Sequence, residues 1–340
     1  MEDLRYLTDS YDRGIARIRQ INAPLNFIFI TDCHNRMNQY DPDFTASRPE
    51  AKKYELAADH IRSMRYIIDR CPIDFAVCGG DVGDDYHPDA AVYKASVREV
   101  YDALYALDIP VYGMVGNHDD GLGNCHDRGY DCHAHAILPG EMHDICMRFN
   151  PTPENYYYAD VNPEYRFVFL NSSDLPYQYN ADGSYPFGWR LEISTRQADW
   201  FEEAVKTRRK VIVFSHAPVH NAGIFGTEGL PWGVKPYDDT LNAPRIRYIM
   251  NTHPNVLFNI CGHVHYDNAV NQGSYVTVTT LCSLVQEWCP ECPGRVLGTP
   301  SETAFDVFSI KDKTMYITRF GAGHDRTVAF PYTPDETETP

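Results

Sequence analysis

The run Val111, Tyr112, Gly113, Met114, Val115, Gly116, Asn117, His118, Asp119 begins as a short apolar segment and ends in a dense set of polar groups. It reads as a strand that stops and delivers its last residues to a loop. Alone, such a run is equally a polar turn, because Gly, Asn and Asp are turn formers. Four other short apolar runs end in the same way, and together they decide the reading. Phe27 to Thr31 leads into Asp32, Cys33 and His34, and Phe75 to Cys78 leads into Gly80, Asp81 and then Asp84. Val211 to Ser215 leads into His216, and Val256 to Cys261 into Gly262, His263, Val264 and His265. Five strands therefore bring carboxylates, an amide and imidazoles to their C-terminal ends.

Helical patterns lie between the first of these strands. Ala57, Ile61, Met64 and Ile68 trace one apolar stripe, and Tyr93, Val97, Val100, Leu104 and Leu107 trace another. Strand, helix, strand, helix, strand predicts parallel pairing through crossover helices, with ligands bound beyond the carboxyl ends of the strands. Ile15, Ile18 and Ile21 predict a further amphipathic helix at the N-terminus. Ser194 followed by Gln197 is a capping box, with Ile193 placed as a staple, and predicts a helix from about Thr195 to Lys206. A helix is also expected around Pro244 to Met250. Tyr156 to Ala159 and Tyr165 to Leu170 read as strands. Tyr275 to Thr279, Phe305 to Ile310 and Thr314 to Arg319 read as strands of a second, more antiparallel sheet, the last two joined as a hairpin. The fold class expected is α/β, two packed mixed β-sheets in a sandwich flanked by α-helices. A single domain over residues 1–331 is expected, with 270–330 as the second-sheet region and an acidic, disordered tail at 332–340. Residues 120–155 carry little apolar periodicity and read as a lid-like loop. Their histidines match no common ligand spacing, so substrate contact or plain solvation stands ahead of ligation.

The chain has 340 residues, 43% of them apolar, enough for a substantial core. A formal charge of -17 means that the surface as a whole repels polyanions, so a grip on long nucleic acid is not expected. A small phosphate ester is compatible, because bound cations invert the sign locally. No apolar run approaches the ~18 residues that cross a bilayer. The first residues lack a basic segment followed by an apolar one, so a cytoplasmic protein without membrane partners is expected. Ten cysteines are too few for a disulfide scaffold. Cys33 reads as pointing away from the polar groups on either side of it. Cys282, Cys289 and Cys292 read first as reduced thiols in a loop, with a disulfide or a structural metal as the lesser alternatives.

Carboxylate, amide oxygen and imidazole groups are what hard cations at a phosphoryl-transfer centre require, with one anionic group shared between two ions. Asp32 and His34 stand two apart, as do His263 and His265, so on an extended segment each pair faces one side and Cys33 or Val264 the other. Glycines 80, 116 and 262 allow the chain to turn after each strand.

The order Asp-X-His, Gly-Asp-X-X-Asp, Gly-Asn-His-Asp, a lone His after a strand and Gly-His-X-His resembles the calcineurin-like metallophosphoesterase superfamily, over roughly residues 25–270. The resemblance implies dinuclear-metal hydrolysis of a phosphomonoester or phosphodiester by metal-bound hydroxide, with manganese, iron or zinc. It assigns Asp32, His34, Asp81 and His265 to one metal, and Asp81 as a bridge with Asn117, His216 and His263 to the other. His118 would donate a hydrogen bond or proton to the phosphoryl group or leaving oxygen. Asp119 would orient that ring, and Asp84 would hold a ligand or one face of the site. Two departures matter. The purple acid phosphatase branch has a tyrosine ligand where this chain has Asp84, which disfavours an iron-tyrosinate centre, and the family's second histidine after His216 is replaced by Ala217. A catalytically inactive binding scaffold and a nuclease are the alternatives; the first usually shows gaps among the ligands, and the second fits the acidic surface poorly.

Overall fold

The computed structural model describes residues 4–35, 57–83, 85, 87–122, 129–174, 191–219, 242–281, 283, 294–296 and 298–331. Among them, two six-stranded sheets form the body. In the first, β1 (Leu25–Ile30), β2 (Phe75–Cys78) and β3 (Val111–Gly113) run parallel, as the crossover pattern predicts. In the second, β5 (Tyr165–Leu170), β6 (Lys210–Ser215), β7 (Val256–Cys261) and β9 (Val276–Thr279) are parallel. This sheet is edged by antiparallel β4 (Tyr157–Asp160) and β8 (Asn268–Asn271). Strands β1, β2 and β7 are buried along their whole length, which is why their sequences are unbroken apolar runs.

The C-terminal strands do not build a second sheet. β10 (Ala304–Lys311) pairs antiparallel with β1, followed by β11 (Thr314–Gly321) and β12 (Arg326–Ala329), so this hairpin extends the first sheet. β9 joins the second sheet beside β7. Sequence pattern shows that a segment is a strand, but the partner is chosen by tertiary packing.

The two sheets meet around Phe27, which stacks on Phe308 at 5.2 Å and meets Phe167 of the facing sheet edge-on at 5.1 Å. Helices cover the outer faces. Helix α1 (Arg5–Ile21) buries Leu7, Tyr11, Gly14, Ile15 and Ile18, and Tyr11 packs edge-on against Phe305 and Phe320. The stripe at 57–68 is broken at Met64 into α2 (Ala57–Ser63) and α3 (Arg65–Ile68). Helix α4 (Ala90–Tyr105) starts on Asp89, whose carboxylate accepts from Ala91 N–H and Val92 N–H. Within 120–155, where a loop is expected, two short helices stand. α5 (Cys132–His135) is capped by Asp131, and α6 (Pro139–Cys146) opens on proline. Helices α7 (Thr195–Ala204) and α8 (Asn242–Thr252) cover the second sheet through Phe201, Ile246 and Ile249. Ser194 caps α7 as the capping box requires, while Gln197 reaches instead to the backbone of Asn171 at the end of β5.

No helix among the described residues is long and apolar enough to cross a membrane. Cys132 is disulfide-bonded, whereas Cys33, Cys71, Cys78, Cys146 and Cys261 are free and buried. The readings of Cys282, Cys289, Cys292 and the 332–340 tail lie outside the described residues.

Candidate metal centre

The C-terminal ends of β1, β2 and β3 from one sheet and of β6 and β7 from the other open onto the same point. The loops beyond them are tied together by backbone bonds. Asp32 N–H donates to Gly80 O, His34 N–H to Asp81 O and Gly262 N–H to His216 O, at 2.9, 3.0 and 3.0 Å. Asp32, His34, Asp81, Asn117, His216, His263 and His265 are all buried there.

Neither Asp-X-His nor His-X-His is extended. Asp32, His34, Asp81, His263 and His265 all have positive φ, between 43° and 67°. The donors of each pair are brought to one side by left-handed turns, not by strand alternation, which corrects the spacing argument. Of the three glycines, only Gly80 supplies a positive φ, at 88°. Gly116 and Gly262 are needed for closeness: a Cβ on the first would overlap Asp81, and on the second Thr31 and Asp32.

Three groups of donor atoms come within 4.8 Å of one another: Asp32, His34 and His265; His34, Asp81 and His118; and Asp81, His216 and His263. Asp81 and His34 are each shared between groups. Asp81 Oδ2 lies 2.9 Å from His216 Nε2, and Asp32 Oδ1 lies 3.2 Å from His265 Nε2. Asn117 Oδ1, the atom of an amide that binds cations, is 3.1 Å from His216 Nε2, while its buried Nδ2 has no hydrogen-bond partner among the described residues.

Electrostatics follow from burial against proximity. Burial alone would raise Asp32, but His265 and His216 outweigh it and hold the carboxyl at about 2; Asp81 is held well below its usual value by His216 and His118 in the same way. Burial would discharge His216, yet Asp81 and Asp32 raise it to about 9. Burial, helped by the His216 charge, lowers His263 to about 3, so that ring is neutral.

These residues fit two cations. His34 Nε2 and His265 Nε2 face each other at 3.2 Å, where two ring nitrogens can share only one proton, and a cation satisfies both. His216 Nδ1 lies 2.8 Å from Gly79 O, which leaves Nε2 as the atom available to a cation. The donors are nitrogen and oxygen only, a set suited to manganese, iron or zinc.

His118 and the acids beside it divide differently from the sequence expectation. Asp119 does not orient the ring. Its two oxygens are occupied by four backbone amides, those of Asp81, Val82, Gly83 and Gly116, at 2.8–3.3 Å. It braces the β2 loop to the β3 loop, and burial with the Asp81 charge raises its carboxyl to about 6. The partner of the ring is Asp85, whose Oδ1 is 2.9 Å from His118 Nδ1 and whose side chain is fully buried. Asp84 lies outside the described residues. The signal for Asp85 was the Asp84-Asp85 doublet, hidden by reading only the Gly-Asp-X-X-Asp spacing. Of the histidines in 120–155, His135 is buried, with Nε2 2.7 Å from His87 O, and His143 Nε2 is 2.6 Å from Thr152 O. Both brace the backbone.

A buried pocket of shared carboxylate, amide oxygen and imidazole donors at the strand ends of an α/β sandwich is the donor set that a metal-dependent hydrolase requires. The family model of calcineurin-like phosphoesterases matches residues 25–267. The chain belongs to this family and is a metal-dependent phosphoesterase. A comparison with curated protein sequences finds no match. Among solved structures, the fold is similar to a dimetal phosphatase from Danio rerio, with a TM-score of 0.60 at 17% identity, covering 91% of this chain and 99% of that one. It is also similar to the purple acid phosphatase PPD1 from yellow lupin (Lupinus luteus) seeds, with a TM-score of 0.52 at 14% identity, covering 90% of this chain and 53% of that one.

Proposed function

We propose that this chain hydrolyses a small phosphomonoester or phosphodiester by direct attack of water, with Asp32, His34, Asp81 and His265 holding one cation and Asp81, Asn117, His216 and His263 the other. Manganese, iron or zinc would neutralise the phosphoryl oxygens and activate the attacking water. The chain's own part is to orient and to move a proton. Asp85 accepts from Nδ1–H, so the imidazolium form of His118 gives up its Nε2 proton and is left as the Nδ1–H tautomer. As the bond from phosphorus to the leaving oxygen breaks, that proton passes to the oxygen; the incoming water supplies the new oxygen on phosphorus and releases a proton, which restores the imidazolium. Ala217 stands where a second imidazole could have assisted, which leaves this task to His118.

The observation that carries the reading is Asp81, whose carboxylate lies within 4.8 Å of donor atoms from both sheets. Manganese-loaded protein is expected to turn over an aryl phosphomonoester or an aryl phosphodiester, with His118→Ala lowering kcat by ~10²-fold or more and Asn117→Ala lowering metal content. No turnover of either ester, with both variants matching the parent, would overturn it. Location is argued from two sides. The disulfide at Cys132 supports an oxidising compartment against the cytoplasmic expectation, and thiol trapping at cell lysis separates the two.

A further inference from the structure

Behind the turn that carries His263 and His265 lies a cluster of four charges and a threonine. Arg319 of β11 is wholly buried. Its Nε donates to Asp306 Oδ1 at 2.9 Å, its Nη1 to Ala322 O at 3.1 Å, and its Nη2 to Asp267 Oδ1 at 2.7 Å and Thr280 Oγ1 at 2.9 Å. Arg326 of β12 donates through Nη2 to Asp306 Oδ2 at 2.5 Å and lies 3.0 Å from Asp267 Oδ1. Two aspartates face these two arginines, and Arg295 is near enough to act on Arg319 as a like charge.

Its position is what matters. Asp306, Arg319 and Arg326 belong to the first sheet, while Asp267 follows His265 by two residues on the loop leaving the second. Asp267 Oδ1 also accepts from Leu281 N–H at 3.1 Å, and Tyr266 O accepts from Thr279 Oγ1 at 2.6 Å. The His265 turn is therefore held on its far side by the opposite sheet, while on its near side His263 N–H donates to Asp32. A left-handed backbone at His263 and His265 needs such restraint from outside, since the conformation is unfavourable by itself.

We infer that Asp267, gripped by Arg319 and Arg326, is a positioning residue for His265 and so sets the affinity of the cation that His265 holds with Asp32 and His34. The inference rests on the metal assignment proposed above. The alternative is that the cluster only welds the sheets together, which removal of any one charge would weaken.

Calorimetric titration of the chelator-treated full chain with manganese alone distinguishes these. Asp267→Asn keeps an acceptor for Leu281 N–H but removes the charge. It is expected to bind one of two manganese ions about tenfold more weakly, in line with other residues that orient ligands, while the second ion binds as in the parent. Asp325→Asn is the control. Asp325 accepts from Arg319 N–H and pairs with Arg13, away from the turn, so it is expected to lower Tm and leave both manganese affinities unchanged. The inference is overturned if Asp267→Asn titrates like the parent, or if Asp325→Asn loses as much affinity for the same fall in Tm. A parent that takes up no manganese overturns the metal assignment as well, whereas a parent that binds two ions with Asp267→Asn matching it overturns this inference alone.

Discussion

At the scale of single residues, the acids around His118 differ in what they touch. Asp85 meets the ring of His118, and Asp119 touches four backbone amides. Asp85→Asn is expected to lower kcat by ~10²-fold, the loss that follows a disturbed proton donor, with KM little changed. Asp119→Asn turns an NH₂ group towards amides that need an acceptor, and is expected to lower Tm first; steady-state kinetics beside thermal melts separate the two, and equal kcat for Asp85→Asn and the parent would remove the proposed role. His216 gives the pH dependence. Its pKa is raised to about 9, so below that pH a cation must displace the Nε2 proton, whereas the Asp32 carboxyl, held at about 2, is already ionised. Apparent manganese affinity is therefore expected to rise by ~tenfold per pH unit from neutrality and to level off above about 9. Titrations in buffers of different ionisation heat should show one proton released on binding at pH 7, and a flat profile would contradict the assignment. Most donors were legible from residue type and order, because each follows an apolar run; Asp85 was not, because which of two adjacent acids meets a ring depends on loop geometry.

At the scale of elements, the strands are carried by apolar runs and the site by what happens just past their ends. β2 and β7 have the bounds that the sequence suggests, and the Ser194 cap of α7 was readable for the same reason: its chemistry is local. β8 and β12 were missed, as Asn-Ala-Val-Asn and Arg-Thr-Val-Ala are too short and polar to announce a strand; they pair at sheet edges. α5 and α6 were missed because helices this short show no full stripe, although the Asp131 cap and Pro139 were signals. The glycine after β3 carries an element-scale prediction. A methyl at Gly116 would overlap Asp81 and the backbone that holds it, so Gly116→Ala is expected to bind manganese at less than the parent's stoichiometry while still folding. Elemental analysis of the purified variant checks it, and parental metal content would show that the loop can yield.

At the scale of the whole molecule, the pocket belongs to neither sheet alone. β1, β2 and β3 bring Asp32, His34, Asp81 and Asn117, while β6 and β7 bring His216, His263 and His265. The donor groups were therefore legible before the packing that unites them was. The phenylalanine cluster between the sheets fixes their separation, and the Asp267–Arg319 contact links them again beside the pocket. Sequence order hid this link, because Asp267 and Arg319 are 52 positions apart and each reads as an ordinary surface charge.

The left-handed backbone at Asp32, His34, Asp81, His263 and His265 bears on how such a centre can be dissected or can drift over generations. Alanine at any of these positions deletes a donor but keeps the strain of about 1–2 kcal/mol that the Cβ of the native residue already carries there, so a conventional scan leaves that strain unrelieved. Asparagine tolerates that twist and glycine accepts it freely, which makes the pair the informative probes and the readiest evolutionary exits from metal binding with the scaffold intact.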